Sequence, residues 1–123
     1  MENNNLSKEE VINLAVSGKI SIKPLWGSVI TTVNTIDKDE DGLILDHVMF
    51  DEDQFIVAVG RTAPDVLKVG MKVKIDITGL TKTVMVGNDA NDTETKIQLD
   101  PVMIDGVMYN QLDARYVKSY FVE

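Results

Sequence analysis

The sequence contains no cysteine and only one histidine, and these shortages exclude several classes of function. Without cysteine the chain has no disulfide, no thiolate ligand and no thiol nucleophile. His47 has no second histidine or cysteine with which to share a zinc ion, so we expect no metal site around it. No Ser/His/Asp arrangement, phosphate-cradling loop or paired-acid motif stands out. The sequence therefore predicts a protein that is not an enzyme, with no catalytic residues and no cofactor.

Basic residues and long apolar runs are also scarce. Lys and Arg number 12 against 20 Asp and Glu, which gives a formal net charge of -8. A surface of this sign repels the phosphates of nucleic acids and of anionic lipids, so we expect neither as a partner. Residues 1–5 lack the basic start and apolar run of a signal peptide, and no apolar stretch is long enough to cross a bilayer. The sequence therefore predicts a cytoplasmic protein.

The first recognisable element is a short N-terminal helix. Ser7 and Glu10 have the spacing of a capping box, in which each side chain accepts a hydrogen bond from the other residue's backbone amide. Gly18 is a suitable stop, because glycine readily adopts the left-handed conformation that ends many helices. We predict a helical extension over residues 1–18, with an apolar face supplied by Leu6, Ile12, Leu14 and Ala15.

After the helix the pattern changes to short strands separated by turn residues. Apolar and charged side chains alternate over residues 71–77, which is the period of a strand with one buried face. The Asp105-Gly106 pair, between two apolar pairs, predicts a type I′ hairpin turn. Further strands are predicted at residues 20–22, 29–33, 55–59, 83–86, 95–99 and 117–122. So many short strands predict an all-β fold, a small barrel or sandwich over residues 19–123.

One polar segment, residues 34–54, is too long for a hairpin turn. Loops of this length are usually functional or mobile. Its two flanks are acidic, but its middle holds an apolar group made of Gly42, Leu43, Ile44 and Leu45. Because acidic flanks disfavour burial inside the subunit, we expect a mobile loop whose apolar centre is buried by a partner. The alternative is that the three aliphatic residues form an ordinary buried strand.

Three acidic residues in the same segment are candidate ligands of a calcium ion. Asp37, Asp39 and Asp41 have the spacing of the first half of an EF-hand loop. Val48 stands where such a loop needs a bidentate acid, and strands are predicted on both sides where helices would be required. A calcium site and a solvated acidic turn both fit the spacing, and the missing acid favours the turn.

Four stretches of the chain occur in an order that matches a known family. They are Ile22-Lys23-Pro24-Leu25 with the following Val29-Ile30, then Gly42-Leu43-Ile44-Leu45, then Phe55-Ile56-Val57-Ala58-Val59-Gly60, and then Leu67-Lys68-Val69-Gly70-Met71-Lys72-Val73. In this order and spacing the chain resembles the GroES-type cochaperonins over about residues 20–77, and again over about residues 104–123.

The resemblance implies a GroES-like β-barrel with a long mobile loop at residues 34–54 and a roof-like insertion at residues 78–102. It implies a homo-oligomer, a heptameric ring, which caps a GroEL-type chaperonin ring and assists protein folding. Gly42 would permit the loop to bend, and Leu43, Ile44 and Leu45 would anchor it on the chaperonin. The family pairs the opening strand of one subunit with the closing strand of the next, which here implies interface residues Ile20, Ile22, Val117, Tyr120 and Phe121.

Three features depart from the family pattern. The N-terminal helix has no counterpart in the minimal pattern, residues 78–102 are longer than the usual roof hairpin, and the loop is more acidic. With these departures the chain resembles a bacteriophage-encoded cochaperonin more than a bacterial housekeeping one. Two other functions stay open: a virion or tail structural β-barrel subunit that assembles through strand edges, and a small calcium-stabilised adhesion domain.

Overall fold

A computed structural model describes residues 5–37, 48–85 and 93–122 of the chain. None of the helices in these parts is long and apolar enough to span a membrane. In chain order the elements are α1 (Lys8–Val16), β1 (Ser28–Thr32), β2 (Thr35–Asp37), β3 (Val48–Phe50), β4 (Asp53–Val59), β5 (Lys72–Ile75), α2 (Ile77–Leu80), β6 (Thr81–Met85), β7 (Thr93–Ile97), β8 (Pro101–Ile104), β9 (Val107–Asp113), a 3-10 turn (Ala114–Tyr116) and β10 (Val117–Tyr120).

Six of these strands form one antiparallel sheet in the order β10-β5-β4-β1-β9-β8. In its interior, Val29 of β1 lies opposite Val59 of β4 on one side and Leu112 of β9 on the other. The remaining strands form two separate antiparallel pairs, β2 with β3 and β6 with β7. The coarse prediction of a mostly β fold that carries a short helix is therefore confirmed.

The inner strands β1 and β4 are buried on both faces of the sheet. Successive side chains of a strand point to opposite faces, so neighbours in sequence enter different clusters. Val29 and Ile56 pack in a first cluster with side chains of β5, whereas Ile30 and Val57 pack in a second with Tyr109 of β9. Burial on both faces explains why residues 55–59 are a continuous apolar run and not an alternating one.

Helix α1 covers the second of these clusters. Ser7 Oγ accepts a hydrogen bond from the Glu10 N–H at 3.2 Å, and Glu10 Oε1 accepts one from the Ser7 N–H at 3.1 Å, as a capping box requires. Gly18 follows with a φ of +75°, the conformation predicted for the helix stop. The predicted apolar face was partly wrong, because Val11 is the fully buried residue of the helix and Ile12 is 37% exposed.

A tight turn at residues 25–28 leads into β1, and its backbone packs closely against Gly60, the residue after β4. The Gly60 N–H donates to Ser28 O at 2.8 Å, and the Thr62 N–H donates to Trp26 O at 2.9 Å. A β-carbon at Gly60 would lie 2.6 Å from Ser28 O and closer still to Trp26 O, so glycine is required for this approach. Trp26 has a φ of +57° and is 74% exposed, which places it outside the core.

The predicted strand at residues 20–22 is not a strand within this subunit. Residues 19–25 form no ladder with any described part of the chain, and without ladder hydrogen bonds an extended segment is not a strand. The predicted strand at residues 71–77 ends early at Ile75. The cause is Asp76, whose side chain accepts a hydrogen bond from the Gly79 N–H at 3.2 Å and starts α2.

The predicted hairpin turn joins β8 to β9. Asp105 and Gly106 have φ angles of 54° and 78°, and positive values at both central positions define a type I′ turn. Ile104 and Val107 lie opposite each other at its base. The turn therefore sets the register of the sheet's outer strand, β8, on β9.

Candidate functional site

A short antiparallel ladder connects the sheet to residues 38–47. β2 follows β1 and β3 precedes β4, with Thr35 opposite Phe50 and Asp37 opposite Val48. Residues 35–37 and 48–50, near the two ends of the predicted mobile loop at residues 34–54, pair as strands, and the mobility of the loop stays a prediction. The predicted chaperonin anchors and two of the three candidate calcium ligands lie outside the described residues, as does the histidine: Gly42, Leu43, Ile44, Leu45, Asp39, Asp41 and His47.

The ladder is interrupted between the β1–β4 pair and the β2–β3 pair, and the side chain of Gln54 fills the interruption. Its Oε1 accepts hydrogen bonds from the Thr32 hydroxyl and the Asn34 N–H, both at 2.7 Å. Its Nε2 donates to Asn34 O at 2.9 Å and to Asp51 O at 2.6 Å. Gln54 is fully buried. Its carboxamide therefore supplies the donors and acceptors that backbone groups require at this buried break.

The segment before α1 contacts the same break from the other side. Asn34 Oδ1 accepts from the Leu6 N–H, and Asn34 Nδ2 donates to Leu6 O, both at 2.9 Å. Asn5 Nδ2 donates to Thr35 O at 2.8 Å, and Asn5 Oδ1 accepts from the Thr35 N–H at 3.0 Å. Each asparagine side chain therefore pairs with both backbone groups of one residue in the opposite segment.

None of these three amide side chains was singled out from the sequence. The available signal was weak: Gln54 precedes an apolar run, at the strand spacing that places it on the same side as Ile56. Asn5 and Asn34 gave no signal, because their partners are backbone groups distant in sequence. An asparagine in a polar segment looks the same whether its amide faces water or another part of the chain.

The predicted interface residues lie on two distinct parts of the surface. Tyr120 and Phe121 are 44% and 38% exposed at the end of β10, an outer strand of the sheet, while Val117 is half-buried against the first cluster. Ile22 is 40% exposed in the unpaired segment, and Ile20 packs against the second cluster. Within one subunit the closing strand and the opening segment are therefore not paired with each other.

Lysines of β5 fasten the residue that follows β10. The Phe121 N–H donates to Lys72 O at 3.0 Å, and the Lys72 ammonium lies 4.8 Å from the centre of the Phe121 ring. Lys74 Nζ donates to Glu52 Oε1 at 2.7 Å and lies 3.4 Å from Asp53 Oδ1. The hydrogen bond from Lys74 lowers the pKa of Glu52, and the same bond raises the pKa of Lys74. The backbone hydrogen bond and the ring contact of Lys72 hold Phe121 beside β5, whereas the contacts of Lys74 join β5 to Glu52 and Asp53.

An apolar groove lies beside β10. It has a volume of about 420 Å³, and its lining includes Val66, Leu67, Val117 and Tyr120. Val66 is 39% exposed there. Among the described strands, β10 is an outer strand that pairs on one side only, with β5.

Part of the predicted roof-like insertion, residues 78–102, is a hairpin outside the main sheet. β6 pairs with β7 over the register from Thr81 opposite Ile97 to Met85 opposite Thr93. Residues 101 and 102, the last two of the predicted insertion, lie in β8 of the main sheet.

No known family model matches this chain, and a search of curated proteins found no match. Among the described residues, no three acidic, histidine or cysteine side chains are grouped as the ligands of a metal ion would be. Asp37, the one candidate calcium ligand in the described chain, is the last residue of β2. The open strand edge and the β2–β3 hairpin are therefore the features on which a function can be built.

Proposed function

We propose that this chain is a cochaperonin subunit, a β-barrel that forms a ring and caps a chaperonin ring without catalysis of its own. The observation that carries the proposal is the separate β2–β3 ladder. It connects the sheet, through a buried and hydrogen-bonded break, to the segment whose residues 42–45 resemble the family's chaperonin anchors. A stem fixed in this way is suited to presenting a recognition segment to another molecule.

The size of the aliphatic group fits a contact that must also be released. Burying Leu43, Ile44 and Leu45 contributes about 5–9 kcal/mol, at roughly 1.5–3 kcal/mol each. Ordering five or six residues costs about 5–10 kcal/mol, at roughly 1–2 kcal/mol each. One subunit alone is therefore expected to bind weakly, whereas a ring of subunits binds strongly because later contacts become intramolecular.

The unpaired segment and the open strand support ring assembly. Residues 19–25 form no ladder with the described part of the chain, and among the described strands β10 pairs only with β5. Pairing residues 20–22 of one subunit with β10 of the next would satisfy the backbone groups of both and cover Ile22 and Tyr120. Closure of the sheet into a barrel and a ring of seven belong to the same proposal, and both follow from the family resemblance.

Binding to chaperonin tests the anchor residues. We expect the wild-type ring to co-sediment with a GroEL-type chaperonin in the presence of nucleotide. Leu43→Asp or Ile44→Asp should reduce that binding at least 100-fold, because a carboxylate would have to enter an apolar groove. Val16→Asp is the matched control, since it adds the same charge at a residue that is 82% exposed at the end of α1. Wild-type protein that ignores chaperonin in every nucleotide state would refute the proposal.

Sedimentation velocity tests the ring. Ile22→Glu should yield folded monomers, because it places a charge in the proposed strand pairing, whereas Val16→Glu should leave the ring intact. A wild-type protein that stays monomeric at micromolar concentration would contradict ring assembly. A stable ring or tube that has no affinity for chaperonin would instead identify a structural subunit of the virion or tail type.

A further inference from the structure

The N-terminal segment contacts the base of the β2–β3 hairpin through asparagine side chains. Asn5 bonds both backbone groups of Thr35, the first residue of β2. Asn34, just before β2, bonds both backbone groups of Leu6. These four hydrogen bonds join segments about 30 positions apart in sequence, beside the interruption between the β1–β4 pair and the β2–β3 pair.

The segment that makes these contacts is itself fixed to the sheet. Val11 is fully buried in the second cluster, so α1 cannot shift without opening that cluster. A Cβ at Gly70 would lie 2.7 Å from a side-chain carbon of Ile12, which shows how closely the helix approaches the turn before β5. The capping box of Ser7 and Glu10 fixes where the helix begins. Asn5 therefore projects from a rigid base.

We propose that the N-terminal segment is a clamp that sets the orientation of the β2–β3 hairpin, with Asn5 as its positioning residue. This inference rests on the proposed function in one respect, since the hairpin carries the segment assigned to chaperonin binding. A clamped stem has fewer orientations to lose when the ring docks, so the clamp strengthens binding by preorganisation. The chain would thus use its N-terminal extension to tune the affinity of each subunit for the partner.

Amide hydrogen exchange tests the clamp in the free protein. In Asn5→Ala, the amides of β2 and β3 should exchange about tenfold faster, because two hydrogen bonds of ordinary net strength are lost. The amides of β1 and β9 should not change. Asn5→Asp keeps the acceptor for the Thr35 N–H and loses the donor, so an intermediate rate is expected. Asn13→Ala is the control, since the Asn13 side chain makes no hydrogen bond within the described chain.

Chaperonin affinity tests the consequence for binding. Asn5→Ala should weaken nucleotide-dependent binding several-fold, and Asn13→Ala should leave it unchanged. If the amides of β2 and β3 exchanged at the wild-type rate in Asn5→Ala, the clamp would be overturned, whatever the binding result. If these amides exchanged faster but chaperonin affinity did not fall, the preorganising role of the clamp would be overturned. If these amides exchanged faster and the wild-type protein did not bind chaperonin, the clamp would be upheld and the proposed function rejected. Failure of the clamp and failure of the proposed function are therefore distinguishable.

Discussion

Replacing Gln54 by methionine should destabilise the subunit more than its size suggests. Methionine nearly matches glutamine in volume but cannot hydrogen-bond the buried break. Two backbone groups, the Asn34 N–H and the Asp51 C=O, then lose the partner that Gln54 gives them. Asn34 O keeps a second partner, the Asp51 N–H at 3.0 Å. At roughly 1–3 kcal/mol for each orphaned group, Gln54→Met should lower the free energy of unfolding by about 4 kcal/mol.

Urea denaturation followed by circular dichroism measures this loss. The control is Gln111→Met, at a half-buried position of β9 whose side chain makes no hydrogen bond within the described chain. That change should stay within about 0.5 kcal/mol of wild type, as substitutions away from special features do. If Gln54→Met were as stable as Gln111→Met, the carboxamide would not be the group that satisfies the break, and the account of the hairpin base would be wrong.

Three further predictions concern the supports of the fold. Gly60→Ala should lower the free energy of unfolding by about 3 kcal/mol, since its β-carbon would collide with the backbone of the residue 25–28 turn, whereas Gly27→Ala, with open space around it, should cost nothing in urea melts. Val11→Ala should cost about 2 kcal/mol and the exposed Val16→Ala almost nothing. The folded-state pKa of Glu52 is lowered from 4.5, so the ionised carboxylate stabilises the fold above pH 4.5, and this stabilisation is lost as the pH falls through the lowered pKa. The urea midpoints of wild type and Glu52→Gln should therefore converge in acid.

Local signals were sufficient for most of the secondary structure. The capping box, the type I′ turn and the alternation that became β5 each depend on residues close together in sequence; the first two lie where they were predicted, and β5 covers residues 72–75 of the predicted 71–77. The strand at residues 20–22 was wrong because a strand requires a partner, and periodicity does not reveal whether the subunit supplies one.

The candidate site was harder to predict than the fold. Sequence marks an apolar group within an acidic segment, but it does not mark how that segment is attached. The attachment is made by Asn5, Asn34 and Gln54, whose side chains bond backbone groups far away in sequence. Such contacts follow from the tertiary arrangement, and any amide residue could in principle make them. They become visible only when the two ladders and the N-terminal segment are seen together.

The form of the hairpin base argues that its orientation matters. An uninterrupted ladder from β1–β4 into β2–β3 would satisfy every backbone group without help from side chains. Instead the pairing shifts register between Ile30 and Thr31, and then breaks at Asn34, where buried amides must replace the missing ladder bonds. Irregularities of this kind bend and re-aim strands. Because a buried break is unfavourable unless each polar group finds a partner, we infer that this chain retains it in order to direct the hairpin, and that the N-terminal segment fixes the direction.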